Sequence, residues 1–345
     1  MVSIETAPKT EVLQRFLLPW LELEWPATWN EVFERSAPIQ VEIGFGNGAF
    51  LLELAGRQPD RNFLGIEVSW RSIKRLLRRI DKRGLENIRI VNGGAQAILS
   101  HLFKPNSIEE VYINFPDPWP KERNHQRRLI RPEFLELLAE KTVPGGRLNI
   151  ATDHADYAAW IADVLEGQNF FTSCYPTTAV HELPGRIQTK YESKAVAEGV
   201  PIHYFVWKKQ AEPERSSTTE KVNEMPNVVL KSQDAGEIFD DFCPQEWVEE
   251  HRGEQVVVKL LRAYRQVGQP HLLVEAMVRE ESFTQVFGIA IRERKDGRLV
   301  VKPSKLGQPR PTWGVKRAVW HTANLILREN REIALVKSTV GDFEP

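Results

Sequence analysis

Ile39-Gln40-Val41-Glu42-Ile43-Gly44-Phe45-Gly46-Asn47-Gly48 decides the fold. Residues 39–43 read as a buried strand, and the glycines turn the chain into a helix with Phe50, Leu51, Leu54 and Ala55 on one face. Working outward, residues 62–66 form a second apolar strand ending at Glu67. Helix 70–83 follows, with Ile73, Leu76, Leu77 and Ile80 on its inner stripe. Strands are expected at 88–91 and 110–115, and then helix 132–141. Gly145-Gly146 turns into strand 147–151, followed by helix 155–166, a strand near 169–174 and a last one at 202–208. This alternation predicts an α/β domain built on a parallel, doubly wound sheet. Right-handed crossovers bring the strand C-termini to one edge, where such sheets bind ligands. The residues just past each strand are Gly44–Gly48, Glu67, Asn92–Gly94, Pro116–Trp119 and Thr152–Asp153.

At 345 residues the chain has room for two domains. Residues 1–36 form an N-terminal segment whose Trp20, Trp25 and Trp29 pack on the domain or help seat the substrate. The α/β domain occupies 37–210, and a polar, aperiodic linker 211–227 leads to a smaller α+β domain at 228–345. That domain is expected to carry helical patterning over 237–265 and strands at 271–279, 284–292 and 298–301. The last two strands are joined by a turn at Lys295-Asp296-Gly297, and helix 315–328 follows. Cys174 and Cys243 have no CxxC pairing, and His101, His154, His181 and His203 show no ligand spacing, so neither a disulfide framework nor a metal is expected. A charged N-terminus and the lack of a long apolar run predict a soluble, cytoplasmic protein with no membrane partner.

The net charge is only −1, yet basic residues cluster. Seven Lys/Arg lie between Arg71 and Arg83, and five between Lys121 and Arg131, each group against one acid. Residues 251–345 hold 17 Lys/Arg against 10 Asp/Glu. Phosphate binding follows such local charge more than the total, although any single cluster is equally explained as a solvated face.

A glycine turn between strand and helix brings backbone N–H groups close to a ligand, and an acid ending the next strand can accept from ribose hydroxyls. Gly44, Gly46, Gly48 and Glu67 fit that pair, which serves a dinucleotide or S-adenosylmethionine equally. Glu42 tilts the choice. A carboxylate beside the turn attracts an ammonium and a sulfonium but repels a pyrophosphate.

After the fourth strand comes Asn114-Phe115-Pro116-Asp117-Pro118-Trp119-Pro120-Lys121. Two prolines stiffen the loop around Asp117, and Trp119 offers a plate for a base. Lys121, Arg123, Arg127, Arg128 and Arg131 are candidate phosphate partners. Aromatic plates among positive charge suit a splayed-out RNA base.

From about Ile39 to Lys209 the chain resembles the bacterial tRNA (guanine-N7)-methyltransferases, a Rossmann-like family. The segments that carry it are Val41–Gly48, Leu64–Val68, Asn114–Lys121, Arg127-Arg128-Leu129, Ala151-Thr152-Asp153 and Thr189-Lys190-Tyr191-Glu192. The resemblance implies methyl transfer from S-adenosylmethionine to N7 of a guanosine in tRNA, at position 46 of the variable loop. It implies cofactor binding by Glu42 and Glu67, catalysis by Asp117, and substrate binding by Lys121, Asp153, Thr189, Lys190, Tyr191 and Glu192. One departure is Gly94, where the family usually carries an acid contacting adenine; backbone groups or Gln96 are the candidate substitutes. Asp153 or Glu192 could read guanine's N1–H and N2–H₂ donors. A non-catalytic RNA-binding scaffold and a dinucleotide oxidoreductase are the rival readings. The residues do not specify an oligomeric state.

Overall fold

The computed structural model describes residues 10–213, 225–231, 239, 242–251, 254–268, 271–280, 283–329 and 333–340. The chain divides into two units, Met1–Arg215 and Ser216–Pro345. Residues 214–224, most of the expected linker, lie outside the described residues.

The first unit opens with α1 (Thr10–Phe16), β1 (Leu17–Leu18) and α2 (Trp29–Val32). The stretch that decides the fold becomes β2 (Ile39–Ile43) and α3 (Ala49–Arg57), followed by β3 (Asn62–Glu67), α4 (Trp70–Arg83) and β4 (Ile88–Asn92). Next come α5 (Ala95–Leu102), an element absent from the sequence expectations, and β5 (Ile108–Asn114). A 3-10 turn at Glu122–Arg127 leads to α6 (Pro132–Lys141), β6 (Thr142–Thr152), α7 (Ala155–Glu166), β7 (Phe171–Ser173), α8 (Lys190–Ala197) and β8 (His203–Lys209).

These strands form one sheet in the order β1-β4-β3-β2-β5-β6-β8-β7. Neighbours from β1 to β6 run parallel, while β8 is antiparallel to both β6 and β7. The chain walks outward from β2 through β3 to β4, then returns to the other side of β2 as β5. The order therefore reverses between β2 and β5, and a ligand crevice belongs at the C-terminal ends of those two strands.

α3 and α4 bury Leu51, Leu52, Ile73, Leu76, Leu77 and Ile80 against Phe63, Ile88 and Ile90, and α1 adds Val12 and Phe16 to the same cluster. The tryptophans before β2 are buried. Trp25 stacks between Trp20 and His101, with centroids 5.4 and 4.3 Å away, and Trp29 lies 4.6 Å from Phe103. Of the two readings open for this segment, the structure supports packing. It also reaches the strand ends, because a Cβ on Gly93 would come within 3.3 Å of Trp20 Nε1.

The second unit contains β9 (Val228–Lys231), β10 (Gln245–His251), β11 (Glu254–Arg265), β12 (Leu272–Glu280), β13 (Phe283–Glu293), β14 (Arg298–Pro303), α9 (Trp313–Glu329) and β15 (Ala334–Ser338). Its antiparallel sheet has the order β10-β11-β12-β13-β14-β9-β15. Val315, Ala318, Val319, Ala323 and Ile326 of α9 share a core with Val258, Val274, Ala276, Ile289 and Val301. The helical patterning expected over 237–265 is corrected: β10 and β11 occupy the described part from Gln245 onward. β10 alternates half-buried and exposed along its length, the period of a strand, and Val256-Val257-Val258 are β-branched. The strands expected at 271–279, 284–292 and 298–301, their turn and helix 315–328 are found as β12, β13, β14 and α9, with Gly297 at φ +72° closing the β13–β14 hairpin, whereas β9 and β15 were not expected. Among the described residues no helix is long and apolar enough to cross a membrane, and no group of three or more His, Cys, Asp or Glu is placed to hold a metal.

Candidate active site

At the end of β2 the backbone turns through Gly44, Gly46 and Gly48 at φ +70°, +53° and +68°, a conformation that disfavours any side chain with a Cβ. Neighbours fix the turn. The Gly44 N–H donates to Ile66 O at 2.8 Å, and Arg79 Nη1 of α4 donates to Asn47 O at 2.8 Å. A Cβ added at Gly44 would meet nothing within 4 Å, so this side of the turn faces open space. Gly48 has another reason to be glycine, because its Cβ would lie 2.5 Å from Leu76 Cδ1, where α3 packs on α4.

Glu67 ends β3 and welds that end to the turn. Its Oε2 accepts the Gly46 N–H, and its Oε1 accepts the Val68 and Ser69 N–H groups, all at 2.9 Å. A carboxylate offers about four acceptor positions. The expected double acceptance from ribose is thereby reduced, with about one position left over.

Glu42 is buried beside the switch point. Its Oε1 accepts from Asn114 Nδ2 of β5 at 3.0 Å, while Oε2 is buried without a hydrogen-bond partner. Burial raises this carboxyl from an ordinary 4.5 to about 7, opposed by the Asn114 hydrogen bond, the Arg186 charge and, least, the Leu51 backbone N–H of α3, and reinforced by Glu67. A buried acceptor without a partner costs stability, and a carboxyl shifted by burial at the crevice of the sheet marks a candidate functional site.

The Pro-Asp-Pro loop leaves β5 with Phe115 at φ +52° and returns with Trp119 at φ +43°, both left-handed at non-glycine residues. Each such residue costs about 1–3 kcal/mol and persists only where its surroundings hold it. Here the Phe115 N–H donates to Ala151 O at 2.8 Å, and Arg128 Nε donates to Pro118 O at 2.9 Å. Arg128 is itself buried, its guanidinium 5.1 Å from the Tyr157 ring and 4.9 Å from the Trp160 ring. The expectation of Arg128 as a phosphate partner is corrected, because this cation buttresses the loop from behind. Arg131 is also engaged internally, donating to Gln126 O at 3.1 Å and Gln96 Oε1 at 3.4 Å. Lys121, Arg123 and Arg127 are exposed, and Arg127 lies over the Trp119 ring at 5.1 Å. Asp117 is exposed at the tip.

Asp153 stands exposed just past β6. Thr189-x-x-Glu192 is a capping box at the start of α8: the Glu192 N–H donates to Thr189 Oγ1 at 3.1 Å, and the Thr189 N–H donates to Glu192 Oε2. Glu192 Oε1 accepts from Arg186 Nε at 2.8 Å and from the Tyr204 hydroxyl at 3.0 Å. Wholly buried and occupied on both oxygens, Glu192 is no free reader of guanine; Asp153 is the accessible one of the two. The side chains of Lys190 and Tyr191 lie outside the described residues. Gly94 caps α5 in an extended conformation, φ −74° and ψ 141°, and no side chain caps that helix start.

Glu42, the glycine turn, Glu67 and Asp117 thus stand at the ends of adjacent strands on one sheet edge, with Asp153 past the next strand. Sequence reasoning missed Arg186, Arg79 and the buttressing task of Arg128. Arg128 stood among candidate cations whose burial only the fold decides, and Arg186 lies in an aperiodic loop with no local signal.

A family model described as "Putative methyltransferase" matches residues 36–205. A tRNA (guanine-N(7)-)-methyltransferase of Halorhodospira halophila is 43% identical over 178 residues, 51% of this chain and 77% of the relative. One of Aquifex aeolicus is 33% identical over 290 residues, 84% of this chain and 94% of the relative. One of Thermotoga maritima is 31% identical over 297 residues, 85% of this chain and 92% of the relative. Likeness over most of the length of each relative leads to one conclusion: the chain belongs to the tRNA (guanine-N(7)-)-methyltransferase family.

Proposed function

We propose that this protein transfers a methyl group from S-adenosylmethionine to N7 of a guanosine in tRNA. The observation that carries the reading is the switch point, where the buried, half-partnered Glu42 lies beside an open glycine turn and one strand from the Asp117 loop. That donor and acceptor set fits a cationic cofactor. A pyrophosphate beside Glu42 would be repelled, which disfavours the dinucleotide reading.

When bound, the cofactor supplies an electrophilic methyl on a sulfonium. Glu42 gives the negative charge that holds its positive end, and the glycine turn admits it at close range. Glu67 keeps the turn in shape and offers its remaining acceptor position to a ribose hydroxyl. At Gly94 the adenine would meet backbone and not an acidic side chain. Guanine N7 has a lone pair and no proton, so no general base is required. Asp117, held by the strained loop, orients the reactants and stabilises the cation in transit. Trp119 stacks the displaced base, Lys121, Arg123 and Arg127 take phosphates, and Asp153 accepts from the guanine N1–H and N2–H₂ edge. Thr189 and Glu192 shape the segment that carries Lys190 and Tyr191 to the substrate.

The test is mass spectrometry of nucleosides from unmodified tRNA incubated with the protein and S-adenosylmethionine. The expected product is 7-methylguanosine, and its absence overturns the reading. Asp117→Asn should lower the rate by about 10²–10³ with the melting temperature unchanged, since Asp117 is exposed.

A further inference from the structure

Arg186 lies in the loop ahead of α8, with its side chain only 10% exposed. Its guanidinium sits 5.3 Å from the ring of Phe50, in the first turn of α3, and 5.1 Å from Tyr204 of β8. Nε donates to Glu192 Oε1 at 2.8 Å, and Nη2 donates to Asn114 Oδ1. Asn114 Nδ2 in turn donates to Glu42 Oε1 at 3.0 Å. One unbroken chain of hydrogen bonds therefore runs from Glu42 to the Thr189–Glu192 box.

The direction of this chain is forced. A guanidinium has donors only, so the Asn114 amide must turn its oxygen to Arg186 and its NH₂ to Glu42. Glu42 thus receives a neutral donor, not a direct ion pair. A direct pair would place a permanent cation on the carboxylate and compete with a ligand's ammonium or sulfonium. The amide spacer orients Glu42 and passes on the field of Arg186, while no cation pairs directly with the carboxylate and the buried Oε2 carries no hydrogen bond.

We propose that Arg186 is a positioning residue that couples the two halves of the site, holding Glu42 ready for a cationic cofactor while anchoring the segment that meets the acceptor. The proposal rests on the methyltransferase reading. Other charged groups face Glu42 too: Arg186 comes from the loop before α8 and Glu67 from the end of β3, while β5 contributes the uncharged Asn114. Arg186 favours the ionised form of Glu42, and Glu67 opposes it.

Removing Arg186 alone strands the buried Glu192 charge and risks unfolding. The informative variants are therefore Arg186→Lys and the charge-balanced pair Arg186→Met with Glu192→Gln. Each is titrated calorimetrically with S-adenosylmethionine and S-adenosylhomocysteine from pH 5.5 to 9, alongside wild type and with melting temperatures recorded. Wild-type affinity should climb as pH rises through about 7 and then level, following ionisation of Glu42. In the double variant the midpoint should move to higher pH and affinity at neutral pH should fall by about tenfold. Arg186→Lys should keep the wild-type midpoint, because the charge remains. It should nevertheless raise KM for tRNA, because one ammonium does not reproduce the fork that bridges Glu192 and Asn114. Unchanged midpoint and affinity in a folded double variant, or an unchanged KM in a folded Arg186→Lys, would overturn the proposal. A wild type that binds neither ligand would instead overturn the methyltransferase reading.

Discussion

Glu42 shows one residue serving two opposed demands. Buried with one side-chain donor, its carboxyl is raised to about 7, so ionisation costs the folded state something that the unfolded chain does not suffer. For a group raised on folding, the stabilising contribution is complete below the unfolded value near 4.5 and is lost as pH rises through the folded value near 7. The loss is about 3 kcal/mol at most, because each tenfold change in an ionisation equilibrium corresponds to about 1.4 kcal/mol. The ligand-free protein should therefore lose stability between pH 5 and 8, and Glu42→Gln should flatten that component. Denaturant melts of both proteins at the two pH values measure it. A cationic cofactor reverses the preference, since only the charged form attracts it, so the same substitution should weaken cofactor binding by about tenfold or more. Equal pH dependence in the two proteins would show that Glu42 is not the group that titrates.

The loop between β5 and α6 divides its cations by task. Arg127 is exposed over Trp119, whereas the neighbouring Arg128 is buried between Tyr157 and Trp160 and donates to Pro118 O. Arg127→Ala should leave the melting temperature unchanged, weaken tRNA binding, and lower the slope of log affinity against log salt by about 1. Arg128→Ala should leave the Pro118 carbonyl without its donor and cost about 1–3 kcal/mol of stability, with a fall in kcat as the Asp117 loop loosens. Filter binding over a salt series and thermal melts separate the two; identical behaviour would refute the division. Both arginines look alike in the sequence, because one helical-type turn decides which faces inward. Most strands and helices of the first unit were legible for the opposite reason: hydrophobic period and glycine placement are local, and β2, α3 and α4 announce themselves within their own spans, whereas α1, β1, α2, α5 and α8 were not read. The carboxylate-bearing strand ends followed from topology. Pairings such as β9 with β15, and contacts such as Arg186 with Asn114, join residues far apart in the chain and leave no periodic trace. The short, charge-rich strand β10 misled for a similar reason: it is stabilised by its ladder with β11 and not by its own composition.

Two units, each with its own buried core, make up the chain. Every candidate cofactor and acceptor residue lies in the first, Met1–Arg215. The relative from Aquifex aeolicus aligns over 290 residues, more than the first unit contains, so the likeness extends into the second. The second unit is thus a shared part of some relatives, built as an antiparallel sheet with α9 on one face. If the site is complete within the first unit, cofactor binding should be independent of the second. The fragment Met1–Arg215 should unfold in a single cooperative transition. It should bind S-adenosylhomocysteine with a Kd within about twofold of the full chain, the additivity expected of independent sites. Calorimetric titration of fragment and full chain provides the comparison. A fragment that melts cooperatively yet binds much more weakly would mean that the second unit completes the cofactor site. A fragment that binds normally but methylates tRNA poorly would place the contribution of the second unit on the RNA side; the unit as a whole is balanced in charge, but the stretch from Arg292 to Arg310 holds seven Lys/Arg against Glu293 and Asp296 and is its candidate RNA contact.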